Sequence, residues 1–207
     1  MENYKLLVGI PTINRADLLN EALRGYYEDF KDTEIFIIDN GHQDLIVREN
    51  KIAVYRPTEN LNVTGSWNHI MDYAIRIGAT HVLMLNDDIY LGVKERSIKA
   101  IIQNNPADFY NSYQNWCVFI LPVKTFVEVG PFDFVNYFND NDYFYRMQLM
   151  GKSMVYTELL NPEIYRNSMT IAKDPSLNSK FGEYQNHYIQ KWGGMPGKEI
   201  FKTPFNL

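Results

Sequence analysis

The run His81-Val82-Leu83-Met84-Leu85, followed at once by Asn86-Asp87-Asp88, decides the reading of this chain. Four apolar residues in five, closed by an amide and two carboxylates, have the length and the abrupt stop of a buried strand. Upstream, Leu6–Ile10 is a similar apolar run, ended by Pro11 and the polar Thr12–Arg15. Glu34–Asp39 is another, closed by Asn40-Gly41, and Ile52–Arg56 is a short fourth. Helical patterns separate them. Ala16–Phe30 carries Leu18, Ala22, Tyr26 and Phe30 at intervals of four, and Ser66–Ile77 puts Trp67, Ile70, Met71 and Ala74 on one side before Gly78. Strands alternating with helices predict an α/β fold, with a mostly parallel sheet covered on both faces. In such sheets ligands bind at the carboxyl ends of the strands. Three polar clusters, Pro11–Arg15, Asp39–Gly41 and Asn86–Asp88, fall at such ends, which predicts one shared site.

The second half is less regular. A helix is predicted over Val93–Gln103, strands over Asp108–Asn111, Trp116–Leu121 and Met154–Glu158, and a last helix over Glu183–Trp192. A helix over Asn139–Gly151 is expected to turn Phe144, Met147 and Met150 inward. No repeat, low-complexity tract or linker interrupts the 207 residues, so residues 1–207 read as one domain, divided near 92/93 into two halves on a continuous sheet.

Composition narrows the classes of function. The formal net charge is −5 and no basic block occurs, which argues against a nucleic-acid partner. One cysteine, Cys117, allows no internal disulfide and no multi-cysteine metal site, and its apolar setting marks it as a small buried hydrophobe. No stretch has the length of a membrane span, and the first residues lack a signal-peptide pattern. The expectation is a soluble protein of a reducing compartment, cytoplasmic, alone or within a larger protein. The 15 Tyr and 12 Phe suit either ordinary packing or the lining of a sugar site.

Four constellations carry chemistry. Adjacent carboxylates at Asp87-Asp88 repel a diphosphate unless a hard divalent cation bridges them; Mg²⁺ or Mn²⁺ held by one or two carboxylates plus phosphates suits that need. The bland alternative is a solvated turn. In Phe138-Asn139-Asp140-Asn141-Asp142, flanking rings desolvate a carboxylate and raise its pKa toward the range of a general base. One of Asp140 and Asp142 is then catalytic and the other caps or braces a helix, or both are only caps. Gly65-Ser66-Trp67-Asn68 reads as a glycine before a helix N-terminus, where a phosphate or ribose can approach. His187, beside Lys191-Trp192-Gly193-Gly194, either completes a carboxylate metal site or packs against Tyr184 or Tyr188.

Val8-Gly9-Ile10-Pro11-Thr12-Ile13-Asn14-Arg15, Ile37-Ile38-Asp39-Asn40-Gly41, Asn86-Asp87-Asp88, Gly130-Pro131-Phe132-Asp133 and Asn139-Asp140-Asn141-Asp142, in that order, resemble the family 2 type of GT-A glycosyltransferases. The terminal Lys191-Trp192-Gly193-Gly194 resembles a C-terminal element of such proteins. The resemblance implies a GT-A fold, with residues 1–92 binding a nucleotide sugar and 93–207 forming the acceptor side. It places the loop of Pro11 and Thr12, together with Asp39, around the base and ribose; Asn14 and Arg15 in the same strand-end loop and Asn68 on the Ser66–Ile77 helix are further candidate binding residues. Asn86, Asp87 and Asp88 match the Asp-x-Asp motif, with Asp88 its last carboxylate and a ligand of Mn²⁺ or Mg²⁺; His187 is a further candidate ligand. Asp140 matches the catalytic base of inverting members. Asn86 stands where an Asp is usual, and Asn139 where a Glu is common.

The expectation is an inverting transfer from a nucleoside diphosphate sugar, a UDP sugar first, to a glycan or other hydroxyl acceptor. Two rivals remain in view. A nucleotidyltransferase also uses strand-end acids and metal, but commonly has a Gly-rich loop that Pro11–Arg15 lacks. A non-catalytic binding module needs Asp39 but not Asp140.

Overall fold

The computed structural model describes residues 4–47, 52–113, 115–165 and 173–207. Its main sheet has seven strands: β1 (Leu6–Thr12), β2 (Glu34–Asp39), β3 (Ile52–Tyr55), β4 (His81–Leu85), β6 (Phe109–Asn111), β7 (Val118–Pro122) and β8 (Met154–Tyr156). β5 (Ile89–Tyr90) and β9 (Ile164–Tyr165) pair antiparallel as a separate ribbon. The strand order is β3-β2-β1-β4-β7-β6-β8. The pairs among β1 to β4, and β6 with β8, are parallel, whereas β7 is antiparallel to both its neighbours. Six strands therefore share one direction and β7 alone runs back, so the sheet is mostly parallel and continuous across the two halves.

The helices are α1 (Ala16–Asp29), α2 (Asn62–Arg76), α3 (Glu95–Asn104), α4 (Val123–Val129), α5 (Asn139–Leu149) and α6 (Phe181–Trp192). Every residue of β1 is buried, as a strand covered on both faces requires. Its side chains alternate. Leu6, Val8 and Ile10 join α1 and α3, while Leu7 faces the layer of α2, α4 and α5. Gly9 lies where α2 crosses the sheet; a Cβ there would run into Ile70 Cγ2, so the close approach requires glycine.

Local readings shift for physical reasons. Pro11 does not end β1, which continues to Thr12. The ladder to β4 stops at Gly9, so Pro11 is paired on the β2 side only, an edge position that tolerates the missing N–H. Helix α2 starts at Asn62 rather than Ser66, so Gly65 lies within the helix and does not precede it. On α1 the buried stripe is Leu19, Ala22, Leu23 and Tyr26, with Leu18 half-buried. On α5 the inward arc is Asn139, Asp142, Tyr143 and Met147; Phe144 is half-buried and Met150 is exposed. Two polar residues take inward positions there, which rotates the helix away from the arc that apolar spacing alone selects. Helix α4 was not expected, being only two turns long. Cys117 is buried and forms no disulfide among the described residues.

Candidate active site

The parallel strands β1, β2 and β4 end on one edge of the sheet. Thr12 is the last residue of β1, Asp39 the last of β2, and Asn86–Asp88 follow β4 directly. The Asn86 amide donates to the Cys117 carbonyl (3.0 Å), which fixes the turn to the neighbouring β7 side. Asp87 is buried; its Oδ2 accepts from the Thr12 hydroxyl (2.7 Å) and the Ile13 amide (3.3 Å). Asp88, also buried, follows it in the turn. Burial pushes the Asp87 carboxyl up to about 7, with the charge of Asp88 adding to the effect and the Thr12 hydrogen bond opposing it. Two desolvated carboxylates side by side are an arrangement that a divalent cation relieves. Among the described residues no group of three or more His, Cys, Asp or Glu could hold a metal ion. As adjacent buried carboxylates, Asp87 and Asp88 suit the kind of site Mg²⁺ commonly takes, in which one or two carboxylates are completed by phosphate oxygens and water.

Behind this edge lies a polar hub not foreseen in the sequence. Gln43 Nε2 donates to Thr12 Oγ1 (3.2 Å) and Asp39 Oδ1 (3.0 Å), and its Oε1 accepts from the Ala16 amide (2.6 Å). Asp39 is fully buried and takes four hydrogen bonds, from the Gly41 and Gln43 amides, Gln43 Nε2 and Arg56 Nε. Both its oxygens are engaged inside the protein. Asn40 takes the more forward place: its Nδ2 donates to Ser66 Oγ (3.0 Å), its Oδ1 accepts from the Leu61 amide (2.9 Å), and the residue lines the cleft. Nothing in Asn40-Gly41-His42-Gln43 distinguishes a buried hub from a surface turn.

Across the cleft stands Asp140, in the first turn of α5. Asn139 Nδ2 donates to Thr64 Oγ1 (3.0 Å), and Thr64 donates to the Val135 carbonyl (2.7 Å), tying the helix start and the loop before it to α2. Asn68 makes a two-bond pair with the Phe132 backbone, at 3.0 and 2.8 Å. Phe138, just before α5, has φ 65°, the left-handed region that a bulky residue enters only under constraint. Burial raises the Asp140 carboxyl above its ordinary value, opposed by the Asn141 amide. Its neighbour Asp142 is different in kind. It points inward to Arg146 Nε (2.9 Å), Lys191 Nζ (2.6 Å) and Trp192 Nε1 (2.8 Å), and so braces the helix.

The cleft between these two sides has a volume of about 520 Å³, ordinary for a ligand site. Pro11, Thr12, Asn86, Asp87, Asp88 and Asp140 line it, joined by Asn40, Trp67, Trp116 and Phe138. Phe109, Phe119, Phe132 and Tyr143 pack behind Trp67 and Trp116, so much of the aromatic content is a wall supporting the cleft.

Five expected residues do not line the cleft. Asn14 is exposed at φ 55°, and its carbonyl accepts from Lys173 Nζ (2.9 Å). Arg15 is buried against Asp17, and only its charge reaches Asp87. Asp39 is sealed as described, and Asn68 is spent on Phe132. His187 lies on α6 with Nε2 3.1 Å from Asp133 Oδ2 and its ring edge-on to Phe205. Asp133 thus engages one of its two ring nitrogens, and the residue lies outside the cleft lining.

No protein-family model matches the chain, and no curated sequence relative matches it. Solved structures do. TarS of S. aureus superposes with a TM-score of 0.59 at 13% identity, over 74% of this chain and 35% of that one. The mannosyltransferase PcManGT of Pyrobaculum calidifontis, in complex with GDP-Man and Mn²⁺, gives 0.57 at 14% identity, over 75% and 55%. A cytidylyltransferase of Leptospira borgpetersenii gives 0.51 at 9% identity, over 74% and 75%. The chain is thus similar to the GT-A fold of nucleotide-diphospho-sugar transferases and has that architecture. It spans about a third to a half of the length of the first two structures.

Proposed function

We propose that this chain is a glycosyltransferase that binds a nucleoside diphosphate sugar, a UDP sugar first, and passes the sugar with inversion to an acceptor hydroxyl. The observation that carries the reading is the convergence of Asp87 and Asp88 on one wall of the cleft with Asp140 on the other. Residues 1–92 supply the donor side and 93–207 the acceptor side. Asp87 and Asp88 would hold Mn²⁺ or Mg²⁺, which when bound neutralises charge on a departing diphosphate. Asp140 takes the acceptor hydroxyl proton. Its desolvation favours that task by raising its basicity. The Thr12 hydroxyl and the Ile13 amide hold one oxygen, Oδ2, of the Asp87 carboxylate in place. Asn40 and Pro11 frame the place for base and ribose; Asp39 supports that place from behind.

The test is thermal stabilisation by UDP, GDP, CDP and ADP, each with and without Mn²⁺, followed by release of nucleoside diphosphate from the sugar donors of whichever base binds. The reading expects a metal-dependent shift that is largest with UDP. A preference for GDP would overturn the choice of base. Release of inorganic pyrophosphate from a nucleoside triphosphate and a sugar phosphate would favour a nucleotidyltransferase, the activity named for the cytidylyltransferase that shares the fold.

A further inference from the structure

Helix α6 presents one ammonium group to two carboxylates on either side of Asp140. Lys191 Nζ lies 2.8 Å from Asp133 Oδ2 and 2.6 Å from Asp142 Oδ1, and its side chain is only 11% exposed. Asp133 belongs to the loop that leads into α5, and Asp142 to the first turn of α5. Asp140 sits between them in sequence. The same helix reaches the strained residue directly before α5: Phe181 and Tyr188 pack against the Phe138 ring at 5.3 and 5.8 Å between centroids. A left-handed backbone at a bulky residue persists only where its surroundings over-determine it. Here those surroundings include α6, held at its other end by Trp192 Nε1 on Asp142.

We propose that Lys191 is a positioning residue for Asp140: by joining loop and helix through one buried cation, it keeps Phe138 left-handed and fixes the start of α5 against the cleft. The inference rests on the reading of Asp140 as base. Neutralising either carboxylate alone leaves the cation one partner, whereas removing Lys191 cuts the link between loop and helix, leaving Asp142 on Arg146 and Trp192 and Asp133 on His187. A lysine is suited to this bridge because its ammonium is a compact point charge with three donors. Arginine, with a planar fork, can still span two carboxylates but at an altered geometry.

The experiment compares wild type, Lys191→Met and Lys191→Arg by amide hydrogen exchange of the ligand-free protein, and by turnover on the nucleotide-sugar donor that wild type uses fastest. The expectation for Lys191→Met is faster exchange confined to residues 132–142, with β1 and β4 as protected as before. Its kcat falls by about 10²-fold, the size of effect that a small misplacement of a reacting group produces, and donor KM stays within a few-fold. Lys191→Arg recovers a substantial part of both. Unchanged exchange over 132–142, or a loss expressed in KM with kcat intact, overturns the inference. Should Lys191→Met lose the fold, Asp142→Asn combined with Lys191→Met, which leaves no carboxylate unpaired at that position, takes its place under the same criteria. Asp140→Asn separates the two levels: wild-type turnover in that variant defeats the reading of the base, whereas loss of turnover there with an unaffected Lys191→Met defeats this inference alone.

Discussion

The two walls of the cleft are built differently. On the proposed donor side, Thr12, Asn86, Asp87 and Asp88 stand at or just past the ends of buried parallel strands, and short-range geometry brings them to the edge. Thr12, Asn86, Asp87 and Asp88 need only β1 and β4 to be neighbours. On the acceptor side, Asp140 depends on ties between distant parts of the chain: Asn139 to Thr64, Asp142 to Lys191 and Trp192, and Asp133 to Lys191. The difference teaches that one wall is fixed by the sheet itself and the other by a network of side chains. Substitutions should separate them by the kind of damage they do.

The largest effect belongs to the acceptor wall. Asp140→Asn keeps size and loses the base, so turnover should fall by about 10²–10⁴-fold with nucleotide affinity little changed. Steady-state kinetics paired with calorimetry check it; turnover within a few-fold of wild type would move the role elsewhere. The pH dependence follows from the direction of the shift. Burial raises the Asp140 carboxyl, so its basic form is lost at a higher pH than for an exposed aspartate, and the acid limb of kcat should lie above the ordinary carboxylate range, about 3.9.

That contrast also explains what could be read from the sequence. That Pro11, Thr12 and Asn86–Asp88 fall at strand ends lining one cleft was legible, because each follows a buried apolar run. The parallel sheet was legible for the same reason, and Trp67, Ile70, Met71 and Ala74 do face the core. What stayed hidden was the direction of polar side chains. Asp39 ends its strand as expected, yet turns inward to Arg56 and Gln43. Asn68 and His187 find backbone and carboxylate partners 64 and 54 residues away, and no local pattern encodes such distances. On α5, Asn139 and Asp142 take inward positions that apolar spacing alone does not select.

A second break concerns stability. Asp142→Ala strips a buried anion from Arg146, Lys191 and Trp192. Removing one partner of a buried pair costs about 3–5 kcal/mol, so urea unfolding should show a loss of that order. The donor wall should behave in the opposite sense. Asp87 is held up to about 7 in the folded protein against 3.8 for the free group. The folded state therefore binds the proton more tightly than the unfolded one. In chelator-treated protein this carboxyl contributes stability below about pH 4, which is lost as pH rises to about 7. Asp87→Asn should flatten that part of the stability profile; a variant with the same slope as wild type would show that Asp87 is not the group responsible.

The smallest effect is expected at His187. It pairs with Asp133 at a partly exposed position, where an ion pair contributes at most about 1 kcal/mol. His187→Ala should leave Mn²⁺ affinity in the presence of UDP unchanged. A clear loss of affinity would return the imidazole to the metal shell and show that α6 serves both walls.

The central claim is that the strand-end acids and a divalent cation together bind a nucleoside diphosphate. Thermal stabilisation by UDP with Mn²⁺, measured on wild type and Asp88→Ala, tests it most directly. A shift is expected for wild type only when both are present, and none for Asp88→Ala, whose unliganded melting temperature stays near that of wild type. An equal metal-dependent shift in Asp88→Ala, or no shift of wild type with any nucleoside diphosphate, would contradict it.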